Sequence, residues 1–214
     1  MNRNPHSNDI MEEIHEYCID IGKNIIYLHG HMTNVEEDLG TEFRMANRFL
    51  KNLLCLDKED DKITVHQQNI GGEWQSGIMI YDTIKNAQSH VAIVCHGEVM
   101  SMGTIIMQAA DSIISMPNCH FVFHYGFTGI GEREYTAGHS WAEMEKRQTK
   151  RMMEIYSSAC TKGEFFKGKT ESQVRKFLDT KFKSKGDWHL DPEEAKYYGF
   201  IDKIIGIDCE LKDL

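Results

Sequence analysis

One stretch restricts the folds open to this chain. His90-Val91-Ala92-Ile93-Val94-Cys95 is a short apolar run, and Gly97 breaks it. Ser101 follows, flanked by Met100 and Met102, with Gly103 two residues on. Thr104-Ile105-Ile106-Met107-Gln108-Ala109-Ala110 then reads as a buried helix. A serine between a buried strand and a buried helix sits where free backbone N–H groups are presented. That position suits a nucleophile and the oxyanion that forms beside it. It equally suits a plain N-cap serine.

The same strand-to-helix step occurs earlier in the chain. Ile25-Ile26-Tyr27-Leu28 is a first strand ending near Gly30. Residues 33–37 carry a cap-like start. Phe43, Met45, Phe49, Leu50, Leu53 and Leu54 then lie on one helical stripe over residues 41–54. Ile63-Thr64-Val65-His66 is a second strand, running into Gly71-Gly72, and residues 74–87 read as a helix. Strands alternate with helical stretches three times before residue 110. This predicts an α/β fold of βαβ units with a largely parallel sheet and right-handed crossovers. Residues 111–117 and 119–124 predict two more strands around a Pro-Asn turn. A glycine-rich loop covers 127–135, a long helix 140–160 and a further helix 172–178. Ile10, Ile14 and Tyr17 give the N-terminal segment helical spacing. No low-complexity linker or internal repeat divides the chain, so one domain is expected.

Charge excludes some functions. The chain has 24 basic and 33 acidic residues, a formal net charge of −9. Such a chain repels phosphates, so no nucleic-acid partner is expected. Its basic run, Lys181-Phe182-Lys183-Ser184-Lys185, reads as a solvated loop. The six cysteines form no C-x-x-C pair, which argues against a zinc or redox motif, and no metal or other cofactor is expected. Cys95 and Cys119 fall in apolar runs and read as core residues. The start of the chain is polar and no run reaches membrane-span length, which predicts a cytoplasmic protein with no membrane partner.

The chemistry is expected where strands end. In an open α/β sheet the carboxyl ends of strands converge on the ligand crevice. Gly71-Gly72 and the Gly97 to Gly103 segment both lie there, and glycine lets backbone N–H groups approach a substrate oxygen. The N–H groups of Gly71 and Met102 are therefore oxyanion-donor candidates. The bland reading of Gly71-Gly72 is a tight turn. His124 ends the apolar run Phe121-Val122-Phe123 and can face the same crevice. A carboxylate on its second ring nitrogen would fix the tautomer. Asp179, Asp187 and Asp191 are read in one late loop, and each could serve.

Four segments carry a resemblance to a known family. Gly97-Glu98-Val99-Met100-Ser101-Met102-Gly103 resembles the nucleophile segment of the proteolytic subunit of the Clp protease (ClpP). Pro117-Asn118-Cys119-His120-Phe121-Val122-Phe123-His124 resembles its histidine segment. Gly71-Gly72, with Gly77 and Ile80-Tyr81-Asp82-Thr83-Ile84, is similar to its glycine-pair segment. Glu194-Ala195 and Tyr198-Gly199-Phe200-Ile201-Asp202 are similar to its C-terminal signature. The segments keep the family's order across residues 25–205. Two departures stand out. Asn69-Ile70 occupies the place of the family's usual Ser-Pro, and Tyr125-Gly126 that of its Gln-Pro.

The resemblance implies a crotonase/ClpP-like fold of repeated β-β-α units with a protruding handle helix at about 140–160. It implies a peptidase domain over 25–205, an N-terminal segment at 1–24 and a tail at 206–214. It implies a serine endopeptidase acting on unfolded polypeptides or small peptides. Ser101 carries over as nucleophile, His124 as general base, and Gly71 and Met102 as oxyanion donors. Asp179 carries over as the acid, with Asp187 as runner-up. It further implies a homo-oligomer of two stacked heptameric rings, a tetradecamer, and an AAA+ unfoldase as a partner. Two rival readings are an inactive ring subunit of the same fold and an acyl-CoA enzyme of the wider crotonase fold, for which Glu98 is the candidate base.

Overall fold

Alternation along three neighbouring strands sets the core. The computed structural model describes residues 5–29, 40–126 and 135–213. Its helices are α1 (Pro5–Glu12), α2 (Phe43–Leu56), α3 (Trp74–Lys85), α4 (Met102–Ile106), α5 (Tyr135–Cys160), α6 (Glu171–Lys185) and α7 (Pro192–Tyr198). Its strands are β1 (Ile19–Asp20), β2 (Ile25–His29), β3 (Lys62–Asn69), β4 (His90–Met100), β5 (Ser112–Ser115), β6 (His120–Phe123), β7 (Trp188–Leu190) and β8 (Lys203–Ile204). Ile26 and Leu28 of β2, Ile63 and Val65 of β3, and Val91, Ile93 and Cys95 of β4 are buried on one face. Phe49 and Leu53 of α2 and Ile80 and Ile84 of α3 join the same cluster.

The described strands form one sheet in the order β1-β2-β3-β4-β5-β8, with β6 added on β4 and β7 on β6. Pairs β2–β3, β3–β4, β4–β5, β4–β6 and β5–β8 are parallel, as the alternation predicts. The β1–β2 and β6–β7 pairs are antiparallel.

The sheet forks at β4. Residues 92–95 of β4 pair with β5, whereas residues 98–100 pair with β6. Opposite the fork, Gln67 registers with Cys95 but Asn69 registers with Val99. The surplus residues of β4 form a bulge, and Gly97 supplies its positive φ of 55°. The bulge steers the strand end that carries Ser101 away from β5 and onto β6.

Two helices exceed their expected bounds. The helix read at 140–160 begins at Tyr135, and the helix read at 172–178 runs on to Lys185. Val174, Leu178 and Phe182 recur every four residues and are all buried, so the core holds α6 through its charged last turns. The run Lys181 to Lys185 is therefore helix rather than loop. The cap-like start at 33–37 lies outside the described residues, as does the glycine-rich stretch up to residue 134. All six cysteines are free, with Cys95 and Cys119 buried as expected.

The other face of the sheet carries a histidine group. His66 Nδ1 lies 2.8 Å from His96 Nε2, and Tyr27 stacks on His66 with ring centres 5.6 Å apart. Burial first, then the nearby His96 and His29, push His66 down from 6.5 to about 4. Between those values the unfolded chain binds a proton that the folded chain refuses. Stability from His66 is thus present above pH 6.5 and lost as pH falls toward 4. Urea midpoints at pH 7 and pH 5 should fall more for the wild type than for His66→Gln. Equal falls would contradict this reading.

Candidate active site

Ser101 closes β4 in a backbone conformation that non-glycine residues rarely take, with φ 49° and ψ −121°. Such a conformation costs about 1–3 kcal/mol and persists only when its surroundings enforce it. Here they do. The Ser101 N–H donates to Val122 O at 2.9 Å. Its carbonyl accepts from the Thr104 N–H at 3.0 Å and from Thr104 Oγ1 at 2.6 Å. The Tyr156 hydroxyl of α5 meets Thr104 Oγ1 at 2.6 Å, which ties this turn to the handle helix. Ser101's side chain makes no cap hydrogen bond, so the plain N-cap reading fails.

Strand register brings His124 and Asp187 together. Met100 of β4 pairs with Val122 of the parallel β6, so Ser101 and His124 leave adjacent strands at the same end. Phe123 pairs with Trp188 of the antiparallel β7, and one further step in that register sets His124 against Asp187. The His124 Nδ1 lies 3.3 Å from Asp187 Oδ1. The imidazole is 14% exposed and the carboxylate 54%.

The acid expected from the resemblance, Asp179, is engaged elsewhere. It lies inside α6, where its carboxylate accepts from the Tyr125 hydroxyl and from Lys183 Nζ, the latter at 2.7 Å. The Lys183 bond first, then the Tyr125 hydroxyl, hold its carboxyl below the usual range. Asp191 caps α7, accepting from the Glu194 N–H at 2.8 Å. Only Asp187 of the three sits in the connection expected to hold them all, because α6 continues past Asp179.

Gly71 stands against Ser101 with φ 98°. A Cβ there would fall 2.5 Å from Ser101 Cβ and 3.0 Å from the Met102 nitrogen. Gly71→Ala should therefore displace Ser101, cost about 1–3 kcal/mol of stability and remove most hydrolysis. Urea unfolding and peptide turnover measure both, and wild-type turnover in this variant would contradict the packing described. The glycine pair is thus more than a tight turn.

The Gly71 N–H already has a partner within the chain. The Gly71 N–H donates to Asn69 Oδ1 at 2.8 Å, so it is directed at the chain's own side chain. A short amide two residues back is the usual partner for such a turn. Asn69 Oδ1 also accepts from Thr41 Oγ1 at 3.0 Å, while its buried Nδ2 has no hydrogen-bond partner among the described residues.

Ser101, Met102, His124 and Asp187 line one cleft of about 650 Å³, together with Trp74 of α3 and Met152 of α5. Glu98 is not among the residues lining it; its register partner is His120. Among the described residues no group of three or more His, Cys, Asp or Glu side chains is placed to hold a metal ion. No helix among them is long and apolar enough to cross a membrane.

Known proteins share this fold. The family model described as Clp protease matches residues 32–208. The chain belongs to the Clp protease family. It is 30% identical over 173 residues to the ATP-dependent Clp protease proteolytic subunit 3 of Synechococcus sp. (strain CC9605), covering 78% of this chain and 80% of that one. It is 29% identical over 169 residues to the proteolytic subunit of Deinococcus radiodurans, covering 77% and 76%. Among solved structures it is similar to that of a ClpP1 point mutant from Listeria monocytogenes. The TM-score is 0.69 at 24% identity, with 90% of this chain and 95% of that chain covered. That likeness establishes the mixed α/β, ClpP-like fold of the crotonase type. As a divergent Clp protease family member, the chain has the peptidase core of a serine peptidase family. Both departures from the family pattern now have contacts. Asn69 holds the Gly71 N–H, and Tyr125 binds the aspartate first expected as the acid.

Proposed function

We propose that this chain is an active serine endopeptidase and the proteolytic subunit of a compartmentalised protease. The observation that carries the reading is the meeting of Ser101, His124 and Asp187 in one cleft, with the imidazole Nδ1 on the carboxylate. Ser101 Oγ attacks the peptide carbonyl as His124 Nε2 takes its proton. The imidazolium that forms is held by Asp187, and the proton passes to the leaving amine. The Met102 N–H faces the developing oxyanion. The Gly71 N–H joins it on leaving Asn69 Oδ1, and each such donor contributes about 2.7–4 kcal/mol at the transition state. Water then hydrolyses the acyl-enzyme with His124 as base again.

The particle in this reading is two stacked heptameric rings joined through the α5 handles. It is a cytoplasmic assembly whose substrates are unfolded polypeptides, delivered by an AAA+ unfoldase. The Asn69 bond to the Gly71 N–H favours one second reading, a ring subunit that does not itself cleave. Sedimentation of the purified chain with a fluorogenic peptide present tests the two together. A fourteen-chain particle that releases fluorophore supports the proposal. A particle of that size with no turnover supports the idle subunit, and a monomer contradicts the assembly.

A further inference from the structure

The cleft beside Ser101 has a charge pattern that bears on its substrates. Glu145, Gln148, Thr149 and Met152 of α5 all line it, at the spacing of one helix face. The basic residues between and beside them, Lys146, Arg147, Lys150 and Arg151, are exposed. Helix α5 thus presents a half-buried carboxylate to the cleft and keeps its cations outside. The exposed Glu73 of the neighbouring loop, next to Trp74, lines the same cleft, with its Oε2 accepting from Ser76 Oγ at 2.8 Å. Neither Glu73 nor Glu145 is in an ion pair among the described residues. The described lining contains no Lys or Arg. The same cleft is lined by the apolar Trp74, Ile105 and Met152.

A lining that combines apolar side chains with carboxylates complements a long hydrocarbon stem that ends in a cation. A bare apolar side chain would gain no attraction from those carboxylates. An acidic side chain would meet like charge. We infer that this cleft selects polypeptides with lysine or arginine on the acyl side of the bond that is cut. The inference rests on the peptidase reading above and adds the substrate class to it.

Three fluorogenic peptides identical except at that residue test it: lysine, norleucine (a similar stem without charge) and glutamate. The full chain is assayed as purified, alongside Glu73→Gln, Glu145→Gln and the double variant. An uncharged fluorophosphonate is run on the same samples. The wild type should turn over the lysine peptide with a kcat/KM about tenfold above norleucine, and the glutamate peptide least. The lysine-to-norleucine ratio should fall toward one in the double variant, and a ratio is unaffected by any loss of folded protein. A wild type that labels at Ser101 and prefers norleucine overturns the inference and leaves the peptidase standing. A retained ratio in the double variant overturns it too. A chain that cuts none of the peptides and does not label at Ser101 fails as a peptidase, and the inference fails with it.

Discussion

Ser101→Ala should lower peptide hydrolysis by roughly four to six orders of magnitude and leave the fold intact. The size follows from removing the nucleophile of a unit that acts together. The intact fold follows from the contacts of residue 101, which are made by its backbone. Its N–H is held by Val122 and its carbonyl by Thr104, whereas its hydroxyl caps nothing. Alanine meets the same backbone strain at φ 49° that serine already bears, so no new cost arises. Turnover of a fluorogenic peptide and a urea unfolding curve measure the two halves. Hydrolysis within tenfold of wild type in the alanine variant would show that the chemistry lies elsewhere.

Asp187→Asn should lower kcat by about 10⁴, the size of effect seen when an amide presents the wrong hydrogen-bonding pattern to a triad histidine. Asp179→Asn should change it by less than tenfold. The contrast rests on two placements. Asp187 faces His124 Nδ1 at 3.3 Å across the β6–β7 pair. Asp179 serves Tyr125 and Lys183 on a part-exposed helix face, where a lost ion pair costs up to about 1 kcal/mol. The two variants are near-identical chemical changes eight positions apart on the chain. A larger loss at Asp179 than at Asp187 would restore the acid first expected from the resemblance.

That exchange of aspartates shows where the sequence stops being informative. The strands that lead to Ser101 and His124 were legible from the apolar runs at 90–95 and 121–123, and the roles expected of the two residues came with the resemblance. The parallel order of β2, β3, β4 and β5 followed from the helices between them. Which aspartate meets His124 was not legible, because three aspartates between residues 179 and 191 differ only in where α6 stops. Apolar spacing beyond Leu178 rests on Phe182 alone, amid lysines that read as loop. The strand that sets Asp187 against His124 has three residues, too few for alternation to register, and the two-residue β1 went unseen for the same reason. The Gly71 N–H was judged by backbone alone, yet the Asn69 side chain decides where it points. Both Asn69 and Tyr125 were visible as departures from the family pattern, but their contacts needed three dimensions.

The central claim is that Ser101 is a nucleophile activated by His124 and Asp187. Fluorophosphonate labelling of the purified chain, with the modified residue mapped by mass spectrometry, tests it most directly. Ser101 should be the labelled residue in the wild type and in Asp179→Asn, with the rate falling steeply in Asp187→Asn. A folded, assembled chain that carries no label on Ser101, or labels equally fast in Asp187→Asn, would contradict the account.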